Sequence, residues 1–156
     1  MKSDSTNASA ATVATVSSFI PFRAGLFESD GDTAQLITSS CATCGRDFFP
    51  ARSYCIQCGE GGQIAERRIR GEGVIYASTI ARVPSPVGLK PPYAYGYVNL
   101  DAAKLRVFAL FTSIAPEQLR PGTRVEMVTA PLRKDSDGNE LVAYKFRPIP
   151  VTGETR

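Results

Sequence analysis

Four cysteines, Cys41, Cys44, Cys55 and Cys58, stand as two C-x-x-C pairs, C-A-T-C-G and C-I-Q-C-G. Two intervening residues let one tight turn aim both sulfurs of a pair at the same point. Each pair is followed by a glycine, Gly45 or Gly59, which accepts positive φ without steric cost. Backbone N–H groups can then turn towards the sulfurs and stabilise thiolate charge. Four thiolates at tetrahedral positions suit one zinc ion in a closed, structural site. Iron would accept the same sulfur cage. A thioredoxin-type redox centre needs a single C-x-x-C at a helix start, whereas two pairs occur here in a β context. A catalytic zinc needs an open coordination position, and four cysteines leave none. A disulfide framework would spread its cysteines along the chain. Thiolates kept for a metal imply a reducing, cytoplasmic compartment.

The remaining chemistry is sparse. There is no histidine and no tryptophan. The usual general base is therefore missing, and no Ser-His pair can exist. With every cysteine committed to metal, no thiol nucleophile is left. Glu66, Glu72, Asp101 and Glu126 read as solvated surface charges. Gly71 and Gly73 flank Glu72 ahead of a strand. A phosphate-binding glycine loop would need a helix there, so a bulge or sharp bend at a barrel corner is expected instead. The net charge of +3 divides into −2 over residues 1–40 and +5 over the rest. A four-thiolate metal offsets about two of those positive charges. The folded part is then nearly neutral, which argues against nucleic acid as a partner.

The elements that would position the cysteines read as β. The 156 residues, 43% of them hydrophobic, suit an ordinary domain with a buried core. Residues 1–22 read as a flexible tail. Residues 8–22 have some leader-like character, but their Ser and Thr content, with Asp4 beside Lys2, favours disorder. Residues 23–64 form the metal ribbon with its lead-in. Residues 65–150 form a β domain, and 151–156 a C-terminal tail. Val74–Ile80, Tyr93–Leu100, Leu105–Thr112, Arg124–Pro131 and Leu141–Arg147 are strand candidates. Leu105, Val107, Ala109 and Phe111 share one face of their strand. Val142, Tyr144 and Phe146 share one face of theirs. A short helix is expected near Pro116-Glu117, capped by Ser113 and stopped by Pro121-Gly122. The architecture is mainly β: a rubredoxin-like zinc ribbon, then a five-stranded OB-fold barrel. The competing arrangement is a β-sandwich. No stretch approaches the ~18 apolar residues of a membrane span.

Taken in order, several motifs resemble one known family. They are the ribbon C-A-T-C-G-R-D-F-F-P-A-R-S-Y-C-I-Q-C-G, G-E-G-V-I-Y at Gly71–Tyr76, P-P-Y at Pro91–Tyr93, R-P-G-T-R-V, and F-R-P at Phe146–Pro148. Over residues 35–149 they resemble the zinc-ribbon plus OB-fold proteins that accompany thiolase-superfamily enzymes, long filed as a domain of unknown function. The acidic 23–34 segment is shorter than the helical lead-in of that family. The resemblance implies a non-catalytic subunit in a hetero-oligomer, two plus two in its simplest form. The partner would be a thiolase, a thiolase-like aldolase or an acyltransferase, and it would hold the catalytic groups. The complex would act on a CoA thioester, cleaving a C–C bond or transferring an acyl group.

The loop Arg82–Pro92 is the contact region expected from that reading. It is long and apolar, and four prolines stiffen it, lowering the entropy lost on docking. Val83, Pro86, Val87, Leu89, Lys90 and Tyr93 are its candidate partner or acyl-CoA contacts. Tyr93, Tyr95 and Tyr97 follow at strand spacing on one face. Arg67 and Arg68 form a basic run that could meet CoA phosphates, or could simply edge a solvated strand. Two rivals are a single-strand nucleic-acid-binding OB-fold protein, using stacked aromatics, and a stand-alone acyl-CoA-binding protein.

Overall fold

The computed structural model describes residues 20–30 and 33–150. Ten strands follow in chain order: β1 (Ile20–Pro21), β2 (Phe27–Asp30), β3 (Thr33–Cys41), β4 (Asp47–Phe48), β5 (Ile64–Arg70), β6 (Glu72–Ala81), β7 (Tyr93–Leu100), β8 (Arg106–Leu110), β9 (Arg124–Lys134) and β10 (Glu140–Pro148). They form two sheets. One is a six-stranded sheet in the order β1-β10-β9-β6-β7-β8. The other centres on β3, which pairs with β2, β4 and β5.

Strands β6 to β10 make the barrel. Successive neighbours are antiparallel. The ring closes where Phe111 bridges Phe146 and the Thr112 N–H donates to the Phe146 carbonyl at 2.9 Å. Alternation decides which side chains fill it. Ala94, Val98 and Leu100 of β7, Val107 and Ala109 of β8, and Val125 and Met127 of β9 are buried. Gly73 lies against the β7 backbone, where a Cβ would collide with the Asn99 carbonyl. The register break on β6 falls between Ile75 and Ala77, not at the Gly71/Gly73 pair where the sequence places it. The glycines permit close strand approach instead, and the bulge turns Tyr76 outward.

The ribbon sheet does not stand apart. Phe27, Leu36 and Ile69 share one buried cluster with Ile75, Val98, Met127 and Phe146 of the barrel. At the seam, Tyr144 meets Phe27, Phe49 and Phe146 edge-on, with ring centroids 5.8–6.4 Å apart. Ile64–Arg70 pairs along β3 in the ribbon sheet, so this strand carries the chain from metal site to barrel.

The expected helix is a single 3₁₀ turn, Pro116–Gln118. Its N-terminal flank is Ala115, with no side-chain cap, and Ser113 instead adopts φ 61°. A chain already in the left-handed region two residues early cannot present Ser113 as the cap. The turn at 135–139 between β9 and β10 is held by its first residue. The Asp135 carboxylate accepts from the N–H groups of Asp137 and Asn139 and from Asn139 Nδ2. Most of the expected tail lies outside the described residues. Its last members are placed: Ile20–Pro21 pairs in parallel with Leu141–Val142, and the Phe22 N–H donates to the Val142 carbonyl at 2.7 Å.

Phe146 is fully buried where barrel and ribbon meet. Phe146→Ala should cost about 3–5 kcal/mol. Urea unfolding should show a lower midpoint with an unchanged slope. Phe108→Ala, on the outer face, should cost far less.

Candidate metal centre and outer aromatic face

The Sγ atoms of Cys41, Cys44, Cys55 and Cys58 all lie within 4.8 Å of one another, and Cys44 Sγ is 3.7 Å from Cys55 Sγ. A disulfide would require about 2.05 Å. Tetrahedral sulfurs at a metal–sulfur distance of ~2.3 Å would stand about 3.8 Å apart. The donor set therefore fits one tetrahedral four-thiolate metal ion. Cys41 and Cys55 are buried, while Cys44 faces solvent.

Two tight turns build the site. Gly45 (φ 69°) and Gly59 (φ 62°) occupy left-handed positions, and their N–H groups close the turns on the Cys41 and Cys55 carbonyls. Thr43 links the turns: its Oγ1 donates to the Gly61 carbonyl and accepts from the Gln63 N–H. Gly62 was not legible as part of the site, yet a Cβ there would come within 2.6 Å of Cys55 Cβ. Burial opposes ionisation of Cys41, but the N–H groups of Cys44 and Thr43 and the neighbouring thiols outweigh it, bringing the group to about 6. Cys58 is pushed up to about 12, first by Cys44, then by burial and by Cys55 and Cys41. Four sulfurs this close cannot all carry charge unless a cation lies between them.

The contact candidates divide. Val87, Leu89 and Tyr93 line a groove of about 340 Å³ together with Tyr95, Phe108 and Leu110. Val83 is 69% exposed at the loop's start. Pro86 and Lys90 are exposed but do not line the groove. Arg67 and Arg68 lie on β5 in the ribbon sheet, away from the groove. Arg67 faces Asp47 at 3.4 Å, and Arg68 pairs with both Glu28 and Glu66. The tyrosines do share a face. Tyr93, Tyr95, Phe108 and Tyr97 form a chain of rings with successive centroids 5.7–6.2 Å apart.

The sequence reading missed Phe22, Phe108 and Leu110 in this groove. Phe22 lies in the segment whose composition reads as tail. Phe108 and Leu110 fall between the alternating core residues of β8, and a strand apolar on both faces was the available signal.

A cysteine ribbon joined through a shared core to a five-stranded barrel defines a ribbon-plus-OB-fold protein. Residues 66–130 match the ChsH2 C-terminal OB-fold domain. A DUF35 domain-containing scaffold protein of Pyrococcus furiosus is 39% identical over 118 residues, 74% of this chain and 84% of that one. The chain belongs to this DUF35 family of OB-fold proteins. The benzoylsuccinyl-CoA thiolase subunit BbsA of Thauera aromatica is 33% identical over 77% of this chain and 81% of its own length. Among solved structures, a chain of the Ltp2-ChsH2(DUF35) aldolase is similar with a TM-score of 0.56 and 26% identity. That match covers 73% of this chain and 84% of the other.

Native mass spectrometry should find one metal ion per chain. Cys55→Ser should abolish its retention, since structural zinc contributes an apparent ~10–16 kcal/mol to small metal domains. Gly62→Ala should weaken retention with all four ligands intact. Acidification should release the ion, because protons compete for the thiolates. Retention by Cys55→Ser equal to the parent's would exclude the four-sulfur site.

Proposed function

We propose that this chain is a non-catalytic, zinc-bearing accessory subunit of a cytoplasmic thiolase-superfamily enzyme complex, and that it helps bind a CoA thioester. The observation that carries the reading is the open groove beside the Arg82–Pro92 loop, lined by Val87, Leu89, Tyr93, Tyr95 and Phe108. Phe108 and Tyr97 are each nearly half exposed. Aromatic and aliphatic side chains collected at one open face are the composition of an interface core, and a monomer seldom leaves such a patch without use. Relatives described as a scaffold protein and as a thiolase subunit support the same reading.

The division of labour follows from the residue inventory. With no histidine in the sequence and four cysteines gathered at one point, reaction chemistry falls to the partner. This chain contributes a rigid surface. Zinc is the metal proposed because a closed set of four thiolates suits its tetrahedral, redox-inert chemistry. The partner is a thiolase first, then a thiolase-like aldolase or an acyltransferase. Two copies of each chain form the simplest assembly.

Co-expression with a thiolase-like partner should give a stable complex on gel filtration, and the purified chain alone should turn over no CoA thioester. Leu89→Asp should break the complex while leaving metal content and barrel folding intact, because an unpaired buried charge costs about 3–5 kcal/mol. Co-elution of Leu89→Asp with an undiminished, fully active complex would remove the loop from the interface.

A further inference from the structure

The outer face of β6, β7 and β8 changes character along its length. At the Tyr93 end it is apolar, with the groove described above. Six residues along β7, about 20 Å at strand rise, it ends at Asn99, opposite Arg106. Arg106 reaches across β7. Its Nε donates to Asn99 Oδ1 at 2.8 Å, and its guanidinium lies 3.3 Å from the centre of the Tyr76 ring. The bulge on β6 puts Tyr76 where it can form this stack. The guanidinium is thus fixed by a hydrogen bond and a cation–π contact, and among the described residues nothing accepts from its two terminal nitrogens.

Beside it, a pocket of about 310 Å³ opens at the β7–β8 turn, lined by Asn99, Leu100, Ala103, Lys104, Leu105 and Arg106. The turn is held from several sides. The Lys104 N–H donates to Asp47 Oδ2 at 2.9 Å, the Asp101 N–H to the Glu72 carbonyl, and the Leu100 N–H to the Leu105 carbonyl. Of the nearby carboxylates, Asp101 pairs with Arg124 at 2.7 Å and Asp47 with Arg67, while Glu72, whose carbonyl holds the Asp101 N–H, has no ion pair among the described residues. Neither Lys104 nor Arg106 has a carboxylate partner among the described residues.

We infer that this pocket is a phosphate-monoester site, and, resting on the accessory-subunit reading, that it takes the 3′-phosphate of the CoA thioester. A monoester carries about −1.5 to −2 at neutral pH, which two unpaired cations match better than they match the single charge on each diphosphate phosphorus. The preset guanidinium fork suits bidentate phosphate recognition. A ligand with an anionic head and an apolar acyl end also matches the polarity of the whole face. Arg67 and Arg68, already engaged with carboxylates, do not serve this purpose.

The test has two arms. In the first, adenosine 3′,5′-bisphosphate is titrated into the full chain and backbone amide resonances are followed. Shifts should centre on Asn99 and Lys104–Arg106. They should be absent with adenosine and weakened about tenfold in Arg106→Gln and in Lys104→Gln. Equal shifts with adenosine, or undiminished shifts in both variants, overturn the site. Tighter binding of oligothymidylate at the same residues overturns the CoA assignment in favour of nucleic-acid phosphate. In the second arm, the complex is assayed with a CoA thioester and its 3′-dephospho analogue. Arg106→Gln should raise KM about tenfold for the first only. An equal rise for both, or none, overturns the 3′-phosphate assignment. If no thiolase-like partner forms a complex, the accessory-subunit reading fails, and the first arm still decides the phosphate site independently.

Discussion

The ribbon sheet has an apolar face and no second layer of its own, so it must bury that face on the barrel. Most of the architecture depends on this constraint. Phe27, Leu36 and Ile69 cannot form a core by themselves, because a four-stranded sheet with one apolar face must bury that face against another layer. Packing them against Met127 and Phe146 creates one hydrophobic interior spanning both sheets. The edge-on rings of Phe49, Phe27 and Tyr144 add directional contacts at the seam. A metal held by the cysteines would lock only the distal tip of the ribbon, where Phe48 and Ile64 are the main apolar support for them.

How much of this was legible depends on the range of the interaction. The clustering of the four cysteines was legible because both pairs are local: each turn is set within five residues. The barrel strands were legible where alternation was clean, as in Val107, Ala109 and Phe111. Ser113 misled because a good capping residue was read without its φ, which tertiary context fixes. The bulge was misplaced because glycine signals both backbone bends and close approach, and only the neighbouring strand distinguishes the two. Arg106 was invisible as a fixed group. Its partners Tyr76 and Asn99 sit on two other strands, and no spacing in sequence announces a contact across three of them.

The outer face illustrates a related point about β-sheets. A strand buried on one side normally puts polar residues on the other. Here β7 and β8 place Tyr93, Tyr95, Tyr97 and Phe108 outward, so the barrel presents apolar surface on both sides of the same sheet. Tyr144 fastens this layer from below by donating its hydroxyl to the Phe108 carbonyl at 3.1 Å. Burial raises the hydroxyl's pKa, so it remains a protonated donor across the neutral range. The face is therefore stiff before anything binds, which reduces the ordering cost of association.

Asp47 has a consequence of another kind. It follows Cys44 by three residues, and its two carboxylate oxygens face Arg67 of the ribbon and the Lys104 N–H of the barrel turn. One side chain thus belongs both to the metal knuckle and to the turn some sixty residues away in sequence. Two sites that share a fixed group are thermodynamically linked, and such linkage is reciprocal. Were an ion held by the cysteines and an anion at the turn, order gained at one through Asp47 would lower the entropy lost at the other, and each would raise the other's affinity by the same factor. On that reading, a structural metal in this small protein would double as a heterotropic effector.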